Sequence, residues 1–297
     1  MKPVAAEMRY RLLVSDIDGT LVNGRRDITP RVHGAVAAAQ ATGVRVCLAT
    51  GRIWPSARQY VEAVGADSPA ILYNGGLVYD FAGAATWMRV PLPRRHALDV
   101  LRILRRHVDV QPHLYIEDRV YVPRDAEVTR VYQRKDGIPV EIAPDLEALL
   151  RVEPMKILMI GERPALDAVA ADLDALPYAI NHVFSESIYL EVLPPDVDKG
   201  VAVRTVAARL GVAREQVIAV GDNLNDLAMI EYAGLGVAMG NAPEALRARA
   251  DVVAPSNEQH GLGDVIERFI LSNKAAPPKR GVVEREPREN RTRGGRS

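Results

Sequence analysis

Two carboxylates two residues apart, in Asp16-Ile17-Asp18-Gly19-Thr20-Leu21, are the first residues whose types and spacing could do chemistry. Along a strand they would face the same way and repel. At a strand end, with Gly19 and Thr20 behind them, they can converge on one metal ion and one phosphate. The bland alternative is a surface turn in which Asp and Gly are only turn formers. A second cluster, Gly221-Asp222-Asn223-Leu224-Asn225-Asp226, offers oxygen ligands suited to a hard cation such as Mg²⁺. Helix capping explains one of these residues but not four. Thr50-Gly51-Arg52 and Asp198-Lys199-Gly200 add a hydroxyl, backbone N–H groups and a lysine. Those are the groups a phosphate dianion needs beside the metal.

Short apolar runs must position these clusters. Arg11 to Ser15 ends at Asp16, Val44 to Ala49 at Thr50, Ala70 to Tyr73 at Asn74-Gly75-Gly76, Val217 to Val220 at Gly221, and Gly236 to Met239 at Gly240. Continuous apolar strands of this kind belong to a parallel sheet covered on both faces. Helical patterns lie between them, over Thr29-Pro30 to about Ala41, Ser56 to Val64, Val201 to Leu210 and Leu224 to Tyr232. Alternating strand and helix predicts a doubly wound α/β domain, whose ligands gather beyond the carboxyl ends of the strands. The middle of the chain differs. A helix pattern over His96 to His107 precedes a hairpin at Tyr115 to Val122, a strand at Lys156 to Ile160, a helix at Pro164 to Leu176 and a strand at Ile188 to Val192. This predicts an inserted α+β domain at 86–194, leaving a discontinuous core of 1–85 and 195–273.

Bulk composition fits that picture. The chain has 297 residues, 48% hydrophobic and 26% charged, enough for about two ordinary globular domains. A single cysteine, Cys47, excludes a disulfide framework, and the six histidines show no metal-ligand spacing. No apolar run reaches the roughly 18 residues of a membrane span, and no signal-peptide core opens the chain, so a cytoplasmic protein is expected. Net charge is zero, but residues 274–297 hold eight Lys or Arg against three Glu. This tail, at +5, reads as a disordered basic extension, solvated and without a specific nucleic-acid or membrane partner.

The four clusters, taken in order, resemble the four motifs of the haloacid dehalogenase superfamily. The long segment between the second and third is similar to its type C2 cap. Asn74-Gly75-Gly76, Val237 to Ala242 and Ala250 to Val253 further resemble the Cof-type branch, subclass IIB. The resemblance implies a phosphatase with Mg²⁺ as cofactor and a small phosphorylated metabolite, foremost a sugar phosphate, as substrate, acting as a monomer or homodimer. It implies Asp16 as a nucleophile forming an aspartyl-phosphate, and Asp18 as general acid and then base. Thr50 and Lys199 complete the catalytic set. Gly51, Arg52, Asn74, Gly75 and Asn225 are implied to bind phosphate or substrate. Asp16, Asp222 and the Asp18 main-chain carbonyl would bind the metal, with Asn225 or Asp226 completing or ordering its shell. His113, Tyr115, Glu117, Arg119 and Tyr121, or Glu186 and Ser187, are candidate cap contacts. Rival readings are a phosphomannomutase-like mutase, which returns the phosphoryl group to a sugar, and a non-catalytic phosphosugar-binding protein. The second would be expected to have lost Asp16 or Asp18, and both are present.

Overall fold

The computed structural model describes residues 9–272. Residues 274–297, read above as a basic tail, lie outside them. Among the described residues the strands form three sheets. The first is parallel, in the order Val252–Val253, Leu235–Ala238, Val217–Gly221, Leu12–Ser15, Arg45–Leu48. Its central strands are buried throughout, as expected of runs covered on both faces.

Register decides where the chemistry converges. Ser15 lies opposite both Val220 and Leu48, so three neighbouring strands end flush and release Asp16, Asp222 and Thr50 at one edge. The Asp16 amide continues the ladder to the Val220 carbonyl at 3.0 Å, and the Ala49 amide to Ser15 at 2.9 Å. The helix Pro30–Ala41 is capped by Thr29 with proline in its first turn, as its sequence dictates.

Ala70–Leu72 departs from the expected parallel strand. It meets the first sheet through a single parallel bridge, Ala49 to Ile71, and otherwise starts an antiparallel meander with Leu77–Asp80 and Ala85–Arg89. Apolar content alone does not encode partner direction, which explains the difference.

The third sheet has six strands, ordered Asn181–Glu186, Tyr189–Leu193, Lys156–Ile160, Gln111–Ile116, Arg119–Val122, Val140–Ile142. Its central hairpin turns at Glu117 and Asp118, both at positive φ as a two-residue primed turn requires. Side chains alternate across this sheet. Leu114, Ile157, Met159, Leu190 and Val192 pack in a core with the helices Arg94–Leu104 and Arg163–Asp174. Tyr115, Lys156, Leu158, Tyr189 and Glu191 line a cleft shared with the loops of the parallel sheet. A helix absent from the sequence reading, Glu127–Asp136, brings Tyr132 and Asp136 to the same cleft. No helix among the described residues is long and apolar enough to cross a membrane.

Candidate active site

Lys199 is the first residue of the helix Lys199–Arg209, whose cap Asp198 accepts from the Val201 amide at 2.7 Å. Its side chain is wholly buried. The ammonium donates to Asp16 Oδ1 and to Asp226 Oδ1, each at 2.6 Å. The other oxygen of Asp226 accepts from the amides of Asp222 and Asn223 at 2.9 and 3.0 Å. Both Asp226 oxygens are thus committed to holding the loop and the lysine. Asp222 is steadied by Thr20 Oγ1 at 3.1 Å and by Asn241 Nδ2 at 3.3 Å.

Gly19 explains how these carboxylates come so close. Its φ is +79°, and a Cβ there would lie 2.2 Å from Asp222 Oδ2. Only glycine fits. Carboxylate oxygens of Asp16, Asp222 and Asp226 lie within 4.8 Å of one another, a spacing that could hold a metal ion. Burial, followed by the neighbouring Asp16 and Asp226 charges, pushes Asp222 up to about 9. Burial pushes Asp16 up to about 7, with Lys199 opposing. Such a trio is short of positive charge, and a hard cation on oxygen ligands supplies it. Asn225 Oδ1, buried and without a hydrogen-bond partner among the described residues, lies on the same wall.

The sequence pattern of the haloacid dehalogenase-like hydrolases matches residues 13–266. The chain belongs to this family. YxeH of Bacillus subtilis, a phosphatase by name, is 31% identical over 273 residues, covering 89% of this chain and 99% of its own. YbhA of Escherichia coli, named as a pyridoxal phosphate phosphatase, is 29% identical over 277 residues, covering 90% and 99%. A solved haloacid dehalogenase-like hydrolase from Bacteroides thetaiotaomicron aligns with a TM-score of 0.78 at 27% identity, over 87% of this chain and 98% of the other. The resemblance read from the motifs and the α/β fold with an additional sheet domain are both borne out. The chain is a haloacid dehalogenase-type enzyme whose relatives include several named as phosphatases, in a superfamily that generally uses a divalent metal.

The second half of this hydrolase's site is the cleft beside Asp16. Asn74 and Tyr73 are consecutive non-glycine residues at positive φ, 54° and 53°. The Asn74 amide donates to the Thr50 carbonyl at 3.0 Å and the Tyr73 amide to the Arg52 carbonyl at 3.1 Å, which hold the strained turn in place. In a trans peptide the N–H points opposite its carbonyl, so anchoring Thr50 O turns the Gly51 N–H away from Asn74. Gly51 and Thr50 line the cleft, of about 260 Å³. Asn74 and Gly75, expected to bind phosphate, lie beside the cleft rather than on its wall. Gly75 is buried against the Asp198 carbonyl, where a Cβ would come within 2.2 Å. Asn74 joins Asn225 Nδ2 at 2.9 Å and Glu191 at 3.0 Å. Its contribution is to hold the loops.

Arg52 also has a different neighbour from the one expected. Its Nε and Nη2 grip the two oxygens of Asp18, each at 2.7 Å. Burial would raise the Asp18 pKa, but the Arg52 bonds and charge, with Arg26 and Lys135, outweigh it and hold the carboxyl below its usual range. Arg52 lies 3.7 Å from Asp136, which also pairs with Arg26 at 3.1 Å.

Of the expected cap contacts, Tyr115 and Glu186 line the cleft. His113 is buried behind it on Thr129 and the Gln111 carbonyl, and Glu117, Arg119, Tyr121 and Ser187 lie off its wall. Lys156, Ser185, Tyr189, Glu191, Tyr132 and Asp136 were missed. Alternation along Lys156–Ile160 and Tyr189–Leu193 was the available signal, since a Lys and a Glu there share a face with Leu158 and Tyr189.

Proposed function

We propose that this hydrolase is a Mg²⁺-dependent phosphatase cleaving a small phosphate monoester, a sugar phosphate or related metabolite, through an aspartyl-phosphate on Asp16. The observation that carries this reading is Lys199 seated between Asp16 and Asp226 at 2.6 Å from each. An anionic nucleophile can meet an anionic ester only where such positive charge is fixed in advance. Asp16, Asp222 and the Asp18 carbonyl would hold Mg²⁺, with Asp226 ordering Asp222 and Lys199 behind them. The ion would neutralise the phosphoryl oxygens and orient them.

In the first half-reaction Asp16 forms a bond to phosphorus as the P–O bond to the leaving group breaks, and Asp18 gives that oxygen a proton. In the second, Asp18 takes a proton from water, whose oxygen bonds to phosphorus as the Asp16 carboxylate departs. The grip of Arg52 on Asp18 suits the second task, because it favours the carboxylate. Donation in the first requires that grip to open. Thr50 Oγ1 and the Gly51 amide serve the phosphoryl oxygens.

The segment 86–194 acts as the cap that closes over the strand ends, on a core of 1–85 and 195–273. The setting is the cytoplasm, with the chain a monomer or homodimer. The name of YbhA makes pyridoxal phosphate a second candidate beside sugar phosphates. Phosphate release from a panel of phosphorylated metabolites, with and without Mg²⁺, tests the reading. It fails if no ester is cleaved in a Mg²⁺-dependent way, or if Asp16→Asn keeps wild-type turnover.

A further inference from the structure

The Lys156–Glu191 pair has no part in that phosphoryl chemistry, yet both side chains reach the cleft wall. Each residue is only 3% exposed. Lys156 Nζ donates to Glu191 Oε2 at 2.6 Å and to the Gly51 carbonyl at 2.8 Å. Asn74 Nδ2 donates to the same Oε2 at 3.0 Å. Among the described residues no hydrogen bond engages Glu191 Oε1, and the ammonium, with three N–H groups for its two hydrogen-bond acceptors, also lies 4.8 Å from the centre of the Tyr115 ring. Ser185 Oγ, on the adjoining strand and lining the same cleft, is buried without a partner.

Stability is a weak account of the pair. Two charges withdrawn from water lose hydration that their attraction repays only in part, and a matched apolar pair would hold the sheet as well. Three atoms are thus placed to accept or donate a hydrogen bond within one water-poor wall. They belong to the six-stranded sheet and line the same cleft as Asp16.

We propose that Lys156 and Glu191 form the leaving-group subsite and read adjacent hydroxyls of a polyhydroxylated ester. Glu191 Oε1 accepts from one hydroxyl, the third N–H of Lys156 turns from the Tyr115 ring to donate to its neighbour, and Ser185 Oγ takes a third. The inference rests on the phosphatase reading and narrows it. A site built to hydrogen-bond hydroxyls strongly rejects an ester lacking them, because its buried polar atoms are left unpaired.

The test compares kcat/KM for glucitol 6-phosphate, glucose 6-phosphate and p-nitrophenyl phosphate. The enzymes are the full chain, Glu191→Gln, and the double variant Lys156→Met/Glu191→Leu, with Tm measured for each. Glu191→Gln keeps shape and an acceptor for Asn74, while the double variant leaves neither charge buried alone. The wild type should favour at least one polyol ester over the aryl ester. Both variants should lose roughly 30-fold on that polyol ester, the scale of a charge-assisted hydrogen bond, and less than about threefold on p-nitrophenyl phosphate. Equal losses on both esters would overturn the proposal and reduce the pair to positioning Gly51 and Asn74. A wild type indifferent to hydroxyls would overturn it too, with hydrolysis itself intact. No Mg²⁺-dependent release from any ester would remove the phosphatase reading along with it.

Discussion

Lys199 Nζ stands 2.6 Å from Asp16 Oδ1 and 2.6 Å from Asp226 Oδ1, with the lysine fully buried. Burial alone would lower the lysine pKa, but the two carboxylates outweigh it and raise it. The ammonium is therefore permanently charged across the working pH range. It is also fixed in place before any ester arrives, with no further side-chain ordering needed on binding.

Lys199→Met should leave Asp16 and Asp226 facing each other across an apolar side chain. Turnover should fall at least about 100-fold, the scale seen when one preorganised charge-stabilising donor is lost. Asp226→Asn should do less harm to chemistry, because its amide can still accept from Lys199 or from the loop amides. Steady-state kinetics with Mg²⁺ on both variants checks the order. A Lys199→Met enzyme within tenfold of wild type would contradict the assigned role.

The raised carboxyls make a prediction about metal and pH. An acid whose folded-state pKa is raised makes the fold less stable as pH climbs from its ordinary value through the raised one. For Asp16 that window runs from 3.8 to about 7, and for Asp222 from 3.8 to about 9. The metal-free protein should therefore lose thermal stability between about pH 4 and 9 through this site. Mg²⁺ relieves the same repulsion, so its stabilising effect should grow with pH. Melting curves at pH 6 and pH 8.5, with and without Mg²⁺, give the comparison. Asp222→Asn should raise the metal-free Tm at pH 8.5 and abolish the Mg²⁺ increment. A Mg²⁺ increment that shrinks as pH rises would refute the account.

The bidentate Arg52–Asp18 contact predicts a shift in the rate profile. Arg52 holds the Asp18 carboxyl down, so replacing it with methionine removes the main groups opposing burial. The Asp18 pKa then rises, and the limb of kcat that depends on ionised Asp18 should move to higher pH. Asp18→Asn should lose most rate on esters with poor leaving groups and least on aryl esters, since only the former need a proton. An unmoved profile in Arg52→Met would dissociate the arginine from the reaction.

Much of this site was legible because parallel strands end where their apolar runs end. Asp16, Thr50 and Asp222 can be gathered at one edge from the sequence alone, since each follows such a run, and the register of Leu12–Ser15 with both neighbours places them there. Lys199 was legible only through its place in the series of clusters, since alone it reads as a solvated surface lysine. The cleft's far wall was not. Glu191 and Lys156 sit in runs that read as ordinary buried strand, and only the pairing of strands distant in sequence brings them beside Gly51 and Asn74. Asp136 ends a polar helix with few apolar residues to mark a buried face, so its approach to Arg52 depended on where that helix packs. Arg52 itself was visible, but its partner was not, because a bidentate contact depends on side-chain direction rather than spacing.

Asp136 carries a last prediction. It ends the helix Glu127–Asp136, pairs with Arg26 at 3.1 Å and lies 3.7 Å from Arg52, so one carboxylate ties the six-stranded layer to two loops of the parallel-sheet layer. The pair with Arg26 is largely shielded, with side chains 25% and 13% exposed. Asp136→Asn removes the charge, keeps the shape and leaves two cations facing each other, which opposes closure of the cleft. If the proposed cap closes over the ester as such layers do, KM should rise roughly tenfold, equivalent to about 1.4 kcal/mol of binding. Adding Arg26→Gln to Asp136→Asn should recover part of that loss, because one of the repelling cations is gone. Double-mutant analysis of KM and kcat on p-nitrophenyl phosphate separates this coupling from a general loss of stability, which would appear equally in Tm. Strictly additive effects of the two substitutions would show that Asp136 and Arg26 do not act together.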